Sequence, residues 1–483
     1  MKAILNRPSR LNLSALLCFA VMAQTAVVAQ SEGQAVNKPP KATRPRVETM
    51  GGSGIVARAI SQPDSDQPVN AATSLYSLYV DQTEGTTVQS LISQASQQNR
   101  DLMAARQNIA IIRGRLIQSG LRPNPTIDTE YTTDKLGTGE GEYGLSAAYI
   151  QPIEMGGKRA KRRRAVQLEF EQAEKELAFQ ERQLAADIQT QYAEALAATE
   201  VLRATEQLLA LNNQTLKATQ VRFDEGDAPR LDVNLVRVEV NRLRAQQLQA
   251  DNRVRAALLQ LRTLAGLGLD EPLKLRGDLA PSPVIDSLTL EGLQTAAMQS
   301  RLDLQAARKA EEAAEARIDL AEAEAVPDIN IFGRYQQDKS IFSQAAIGRL
   351  LDVDKKVAFG VSIPLPLFNR NQGAIAETTA ARAQARHRRE FLEQLVKRDV
   401  ALAFSRLQTA RESIKLYETE ILPRSQDNLG IIRAAYELGD QQLLDVVAEQ
   451  RRLIEAEQQY IDALKEYHLA LVELERSVGA TIR

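Results

Sequence analysis

Tryptophan is absent, cysteine occurs once, at Cys18, and histidine twice, at His387 and His468, in a chain of 483 residues. These shortages remove whole classes of chemistry. Without a second cysteine there is no disulfide and no thiolate metal site, and neither histidine has another histidine or cysteine at metal-ligand spacing. An enzyme needs a nucleophile, an acid and base, or a metal in a shaped pocket. The carboxylates here are spread along charged segments, as pairing on helix surfaces requires, so an enzymatic reading is rejected and no cofactor is expected. A basic excess is missing too: Lys and Arg number 60 against 62 Asp and Glu. Nucleic acid, which calls for a basic face, is not an expected partner.

Long apolar runs are equally scarce, and the main one lies near the start. Residues 1–29 read as a signal peptide, with Lys2, Arg7 and Arg10 ahead of the apolar Leu11 to Ala23 and Val27-Val28-Ala29 as the cleavage site. The run is shorter than the roughly 20 residues of a spanning helix. Cys18 sits inside the apolar core without the small residue that precedes a lipidated cysteine. The mature chain is therefore expected to start at Gln30, with no cysteine, no lipid anchor and a net charge of about −5. Residues 30–84 are rich in Pro, Gln, Ser and Thr without sustained periodicity, and read as a disordered N-terminal arm.

What the rest of the chain contains, it contains twice. Asp101, Leu102, Ala104, Ala105 and Arg106 return as Asp303, Leu304, Ala306, Ala307 and Arg308; Pro125-Thr126-Ile127 returns as Pro327-Asp328-Ile329. Farther on, Gln151-Pro152-Ile153 recurs as Ile363-Pro364-Leu365, and Phe223-Asp224-Glu225-Gly226-Asp227 as Tyr436-Glu437-Leu438-Gly439-Asp440. The period far exceeds that of solenoid repeats. Two tandem units are expected, over residues 85–285 and 286–483.

Each unit reads as a short helix, a strand pair and a long helical hairpin. Helical spacing runs from Val88 to Ile117, opened by Thr86 or Thr87 and closed by Gly120. Period-two alternation follows at Ile127, Thr129, Tyr131 and at Tyr143, Leu145, Ala147, Tyr149, across a Gly-rich connection at 135–142. In the second unit Ile329, Ile331, Tyr335 and Val357, Phe359, Val361, Ile363 alternate likewise, with a longer loop expected from Asp338 to Lys356. No proline or glycine occurs from Ala160 to Glu225, which predicts a helix of about 100 Å, and a second from Leu231 to Leu264. The second unit predicts Ala374 to Leu438, interrupted at Pro423, then Leu443 to Val478.

Helices this long must lie beside other long helices, because a compact domain of this size is far narrower. A soluble coiled coil is one such solution. Strands of about ten residues with one apolar face instead match the 9–11 residues of a membrane-barrel strand. Four strands cannot close a barrel, but three copies give twelve, so a homotrimer is inferred. The expected fold class is mainly α with a small transmembrane β part, a 12-stranded barrel on a long α-helical tunnel.

At this point the chain resembles the TolC-like outer membrane factors of Gram-negative bacteria, over about residues 85–480. The resemblance rests on Gly120-Leu121-Arg122-Pro123-Asn124-Pro125-Thr126, on Gln151 to Arg159, and on Leu365 to Gly373, and is greatest to the heavy-metal efflux, CzcC-like branch. It implies an exit duct in the cell outer membrane with a long periplasmic extension, working with a periplasmic adaptor and an inner-membrane RND pump, in a tripartite efflux system for heavy-metal cations. A duct for drug efflux or type I protein secretion is the alternative cargo reading. The adaptor itself also carries a long hairpin, but only one, flanked by β domains. The basic run Lys158, Arg159 and Lys161 to Arg164 reads as a collar near outer-membrane lipid or as a solvated face.

The resemblance also assigns roles to the two hairpin ends. The tips that dock the adaptor are Arg222, Phe223, Gly226, Asp227 and Leu231 in the first unit, and Gly439, Asp440 and Leu444 in the second. The gate falls on Asp232, Tyr436, Gln441 and Asp445: Asp445 matches a cation-attracting ring, and Tyr436 and Asp232 match positions that tie neighbouring hairpins together. Gln441 stands where TolC has a gate arginine, and Ala448 where it has a second ring acid. Each lies six residues beyond its glycine, so Asp232 and Asp445 can also be read as helix caps. The two readings stand level for Asp232, while the gate is preferred for Asp445 because three copies around an axis would make it a ring.

Overall fold

The computed structural model describes residues 74–134, 141–281, 289–344 and 348–482. The signal peptide, the arm as far as residue 73 and most of the 135–142 connection lie outside the described residues. The arm's expected boundary at residue 84 needs correcting, because residues 74–84 are built into the fold. They form α1 (Tyr76–Tyr79) and bridge from Val80 to Leu275, with the Tyr79 hydroxyl donating to Asp251 at 2.6 Å. Tyr76, Tyr79 and the buried Val80 give this short piece the apolar surface that the rest of the arm's composition lacks.

The helix expected over residues 88–117 is two helices, α2 (Val88–Gln98) and α3 (Arg100–Ser119). Asn99 separates them in an extended conformation, and its side chain accepts the Leu102 N–H at 3.0 Å. Asparagine is among the strongest N-caps, so it ends one helix by starting the next. Thr87 caps α2 and Gly120 closes α3, as the spacing predicts.

β1 (Thr126–Thr133), β2 (Tyr143–Ile153), β3 (Ile329–Gln344) and β4 (Gly348–Ser362) form one antiparallel sheet in that order. The central β2–β3 ladder joins the two repeats. Register places Ile127 opposite Tyr149, Ala147 opposite Tyr335, and Gly333 opposite Phe359, so the apolar alternations of all four strands share one face. That face is exposed: Ile127, Tyr149, Val357, Phe359 and Val361 are all open, Phe359 to 85%. Asp128, Glu130, Ser146, Arg334, Gln336 and Lys356 alternate onto the other face. Apolar outside and polar inside is the pattern of an outer-membrane barrel wall.

The loop expected from Asp338 to Lys356 is a second correction. Pairing continues from Asp338 opposite Asp354 to Gln344 opposite Gly348, and only residues 345–347 lie outside the described residues. Most of the charged residues there, Asp338, Asp352, Asp354 and Lys356, alternate onto the polar face, so their charge does not interrupt the backbone pairing.

α4 (Lys158–Asp224) is a single helix of 67 residues, followed by α5 (Arg230–Ala265). The second repeat supplies α6 (Leu290–Ser300), α7 (Leu302–Glu324), α8 (Gln372–Leu416), α9 (Leu422–Glu437) and α10 (Leu443–Val478). Between α8 and α9, Tyr417–Ile421 is a π-helical turn. Pro423 has no N–H, and the Leu422 N–H reaches back five residues to the Tyr417 carbonyl, so the chain passes the proline without ending the helical run.

The long helices lie side by side. Towards the sheet the packing order is α3, α4, α7, α8; towards the hairpin ends it is α5, α4, α10, then α8 and α9. The main core lies between these halves, where Leu91, Ile188, Leu202 and Leu258 of the first repeat meet Leu304, Val400 and Leu471 of the second. Large apolar side chains stay exposed on both outer flanks. Met103, Ile111 and Ile117 mark α3, Leu231, Val238 and Leu248 mark α5, and Phe391, Leu402 and Ile431 mark α8 and α9. Sheet and helices therefore end in the same way at the same two edges.

Candidate functional site

The two hairpin ends are built alike from the same backbone device. α4 ends at Asp224, Gly226 turns left-handed at φ 88°, and the Asp227 N–H bonds back to the Arg222 carbonyl at 2.8 Å. α9 ends at Glu437, Gly439 turns at φ 84°, and the Asp440 N–H bonds back to the Ala435 carbonyl at 2.9 Å. Both are Schellman motifs, which satisfy the last carbonyls of a helix through a residue with positive φ. Gly226, Asp227, Gly439, Asp440, Gln441 and Leu444 are exposed, and Leu231 is 65% exposed, so these tips present a surface rather than a core.

The starts of the returning helices differ, and the difference separates the two acids. Gln442 caps α10, and its N–H donates to the Asp445 carboxylate at 3.2 Å, completing a capping box. Asp445 is thus part of the cap, on an exposed position. Asp232 holds the corresponding place in α5, but the N-cap there is Pro229, which has no N–H to give. Among the described residues the Asp232 carboxylate has no hydrogen-bond or ion-pair partner.

Arg222 and Tyr436 bring the two hairpins of one chain together. The guanidinium donates to the Tyr436 hydroxyl at 3.0 Å and lies 5.4 Å from the ring centre. Beneath them Val236 and Val240 of α5 pack with Leu429, Leu443, Val446 and Val447, and Tyr436 lies against this cluster. Phe223 is half-buried. Tyr436→Phe removes only the hydroxyl bond, whereas Arg222→Ala removes the bond and the ring contact. Each contact is worth about 0.5–1.5 kcal/mol. Amide exchange over residues 430–442 should therefore accelerate a few-fold in the first variant and more in the second. Equal exchange in wild type and both variants would show that the pair does not hold the tips.

The family model for outer membrane efflux protein matches residues 91–267 and 293–480, one match for each repeat. The chain belongs to that family. As an outer membrane efflux protein it is a transport duct of the outer membrane and not an enzyme. Among curated relatives, the cobalt-zinc-cadmium resistance protein CzcC of Cupriavidus metallidurans is 24% identical over 87% of this chain and 95% of its own length. The outer membrane protein TolC of Vibrio cholerae is 24% identical over 58% of this chain and 65% of its own length. Among solved structures, CusC superposes with a TM-score of 0.68 at 19% identity, covering 86% of this chain and 99% of CusC. VceC of Vibrio cholerae gives 0.65 at 19% identity, covering 82% of this chain and 97% of VceC.

One feature of the efflux protein's hairpin ends escaped sequence reasoning. Glu239 of α5 is only 4% exposed and accepts from Arg451 of α10, a contact that holds the Arg451 guanidinium even more firmly protonated. The signal was available: Glu239 lies within the buried stripe Val233, Val236, Val240, Leu243, where an acid has to find a cation.

Proposed function

We propose that this protein is the homotrimeric exit duct of a tripartite efflux system for divalent heavy-metal cations, with an RND pump and a periplasmic adaptor as partners. The observation that carries the reading is the matching pair of open edges. β1, α3 and α5 lie on one flank, β4, α8 and α9 on the other, and both flanks carry exposed apolar residues. An edge of this kind is satisfied head to tail by another copy, and three copies give an even, twelve-stranded ring. The cargo is supported by the relative spanning nearly the whole chain, a cobalt-zinc-cadmium resistance protein. Deleting the gene should sensitise cells to cobalt, zinc or cadmium, and the extracted protein should run as a trimer. Unchanged metal tolerance with new sensitivity to hydrophobic drugs would assign the duct to drugs instead.

In this reading the glycine-centred tips dock the adaptor, and Asp445 contributes one carboxylate per copy to a ring at the narrowest point. Three carboxylates around an axis raise the local cation concentration in a way that weakens with salt. Asp445→Asn keeps an oxygen for the Gln442 N–H but removes the charge, while Asp445→Ala also loses the cap, at about 1 kcal/mol. Cation preference and block by multivalent cations in planar bilayers should fall in both variants, with α10 weakened only in the alanine one. Wild-type selectivity in Asp445→Asn would leave the residue as a cap alone.

A further inference from the structure

Three lysines near the outer end of the β3–β4 hairpin have different surroundings. Lys356 belongs to the polar face, where Asp354 stands 3.3 Å away and Asp338 3.9 Å. Lys339 and Lys355 have the opposite parity. Lys339 is in register with Val353 and Lys355 with Gln337, so both belong to the face of Tyr335, Val357 and Phe359. Among the described residues neither has a carboxylate within ion-pair distance. Lys339 lies 5.6 Å from the centre of the Tyr143 ring, and Lys355 is exposed. The nearby Glu142 carboxylate accepts the Ile341 N–H at 2.9 Å. Tyr143 stacks on Tyr131 at 6.1 Å, and its hydroxyl accepts from Gln337 at 3.1 Å.

Height decides what these lysines meet. β3 leaves the helical side of the sheet at Ile329. At about 3.4 Å per residue and a tilt of about 40°, the level of Gln337 and Lys355 is roughly 21 Å from that end, and Lys339 roughly 26 Å. The apolar band of an outer-membrane barrel is about 25 Å tall, bounded by aromatic residues at each interface. Both lysines therefore stand at the far interface, beside Tyr131 and Tyr143, with apolar stems along the wall and ammonium groups among the lipid headgroups. As diagonal neighbours on paired strands they are about 7–8 Å apart, within reach of one phosphorylated headgroup.

We propose that Lys339 and Lys355, with Tyr143 and Gln337, form a binding surface on each copy for the phosphate groups of outer-leaflet lipid. It rests on the barrel reading, with the apolar face turned to lipid. The charge is complementary, and the surface continues the lipid-facing belt below it. Each lysine at an anionic membrane surface is worth about fivefold in binding.

The test uses the full chain assembled in outer membrane and extracted in mild detergent, with bound lipid counted by native mass spectrometry. The probes are bisphosphorylated lipid A, the same lipid without phosphates, and inorganic phosphate as competitor. Wild type and Lys356→Gln should retain the phosphorylated lipid in preference to the dephosphorylated one. The double variant Lys339→Gln, Lys355→Gln should assemble normally yet bind it about 25-fold more weakly. Equal retention by the double variant, indifference to the phosphates, or displacement by millimolar inorganic phosphate would each overturn the proposal. Failure of the wild-type chain to assemble in outer membrane would overturn the barrel reading beneath it.

Discussion

Phe359→Arg should keep the protein out of the outer membrane. Phe359 is 85% exposed, and its ring covers Gly333 on the neighbouring strand. Its level is four residues from the helical end of β3, roughly 10 Å, which is close to the middle of the apolar band. Arginine at the midplane of an outer-membrane barrel costs about 2–4 kcal/mol, and a trimer carries three copies of the change. Gln336→Arg makes a fair control, since Gln336 lies on the opposite face and already donates to Asp338 at 2.9 Å. That variant should insert normally, while Phe359→Arg should give little outer-membrane protein and no trimer band. Normal insertion of Phe359→Arg would mean that this face does not meet lipid.

Gly226→Val and Gly439→Val should each abolish efflux-dependent resistance while leaving the trimer intact. Both glycines have positive φ, and a side chain added at either would meet nothing within 4 Å. The penalty is thus one of backbone conformation, about 1–2 kcal/mol for an ordinary L-residue and more when the side chain is β-branched. Escaping it means breaking the bonds from Asp227 to Arg222 or from Asp440 to Ala435, which moves the exposed tip. Asparagine tolerates the left-handed conformation, so Gly226→Asn and Gly439→Asn should retain most resistance. Full resistance in both valine variants would remove the tips from the docking surface. Loss in the asparagine variants as well would point to a need for the bare glycine surface rather than the turn.

The long helices were legible because their boundaries are chemical. The stretch between Gly157 and Gly226 lacks proline and glycine, and α4 fills nearly all of it. The strand faces were legible for a similar reason, since alternation at Tyr143 to Tyr149 and Val357 to Ile363 is imposed by lipid on one side. The ends of β3 and β4 were not, because Lys339 and Lys355 interrupt the apolar alternation that Val353 and Leu351 resume, so that Asp352, Asp354 and Lys355 read as loop. Asn99 was hidden by continuous helical spacing on both sides of it. At the tips the residues were legible, but their pairing was not: the contact of Arg222 with Tyr436 crosses from one repeat to the other. The distinction between Asp232 and Asp445 was written in Pro229 and Gln442, which decide whether an N–H is there to donate to the carboxylate.

The β2–β3 ladder sets an order of events during biosynthesis. Ile153 pairs with Ile329, so β2 leaves the ribosome about 175 residues before the strand that completes it. At about 5–20 residues per second that interval is roughly 10–35 s. Until then β2 has only the short β1 beside it, and a two-stranded hairpin is marginal in water. The wall cannot be laid strand by strand as the chain appears. It must wait until α4, α5 and α7 have been made, with Leu145 and Tyr149 shielded from other chains in the meantime, so a chain truncated before β3 should be a substrate for holding chaperones and proteases rather than for the membrane.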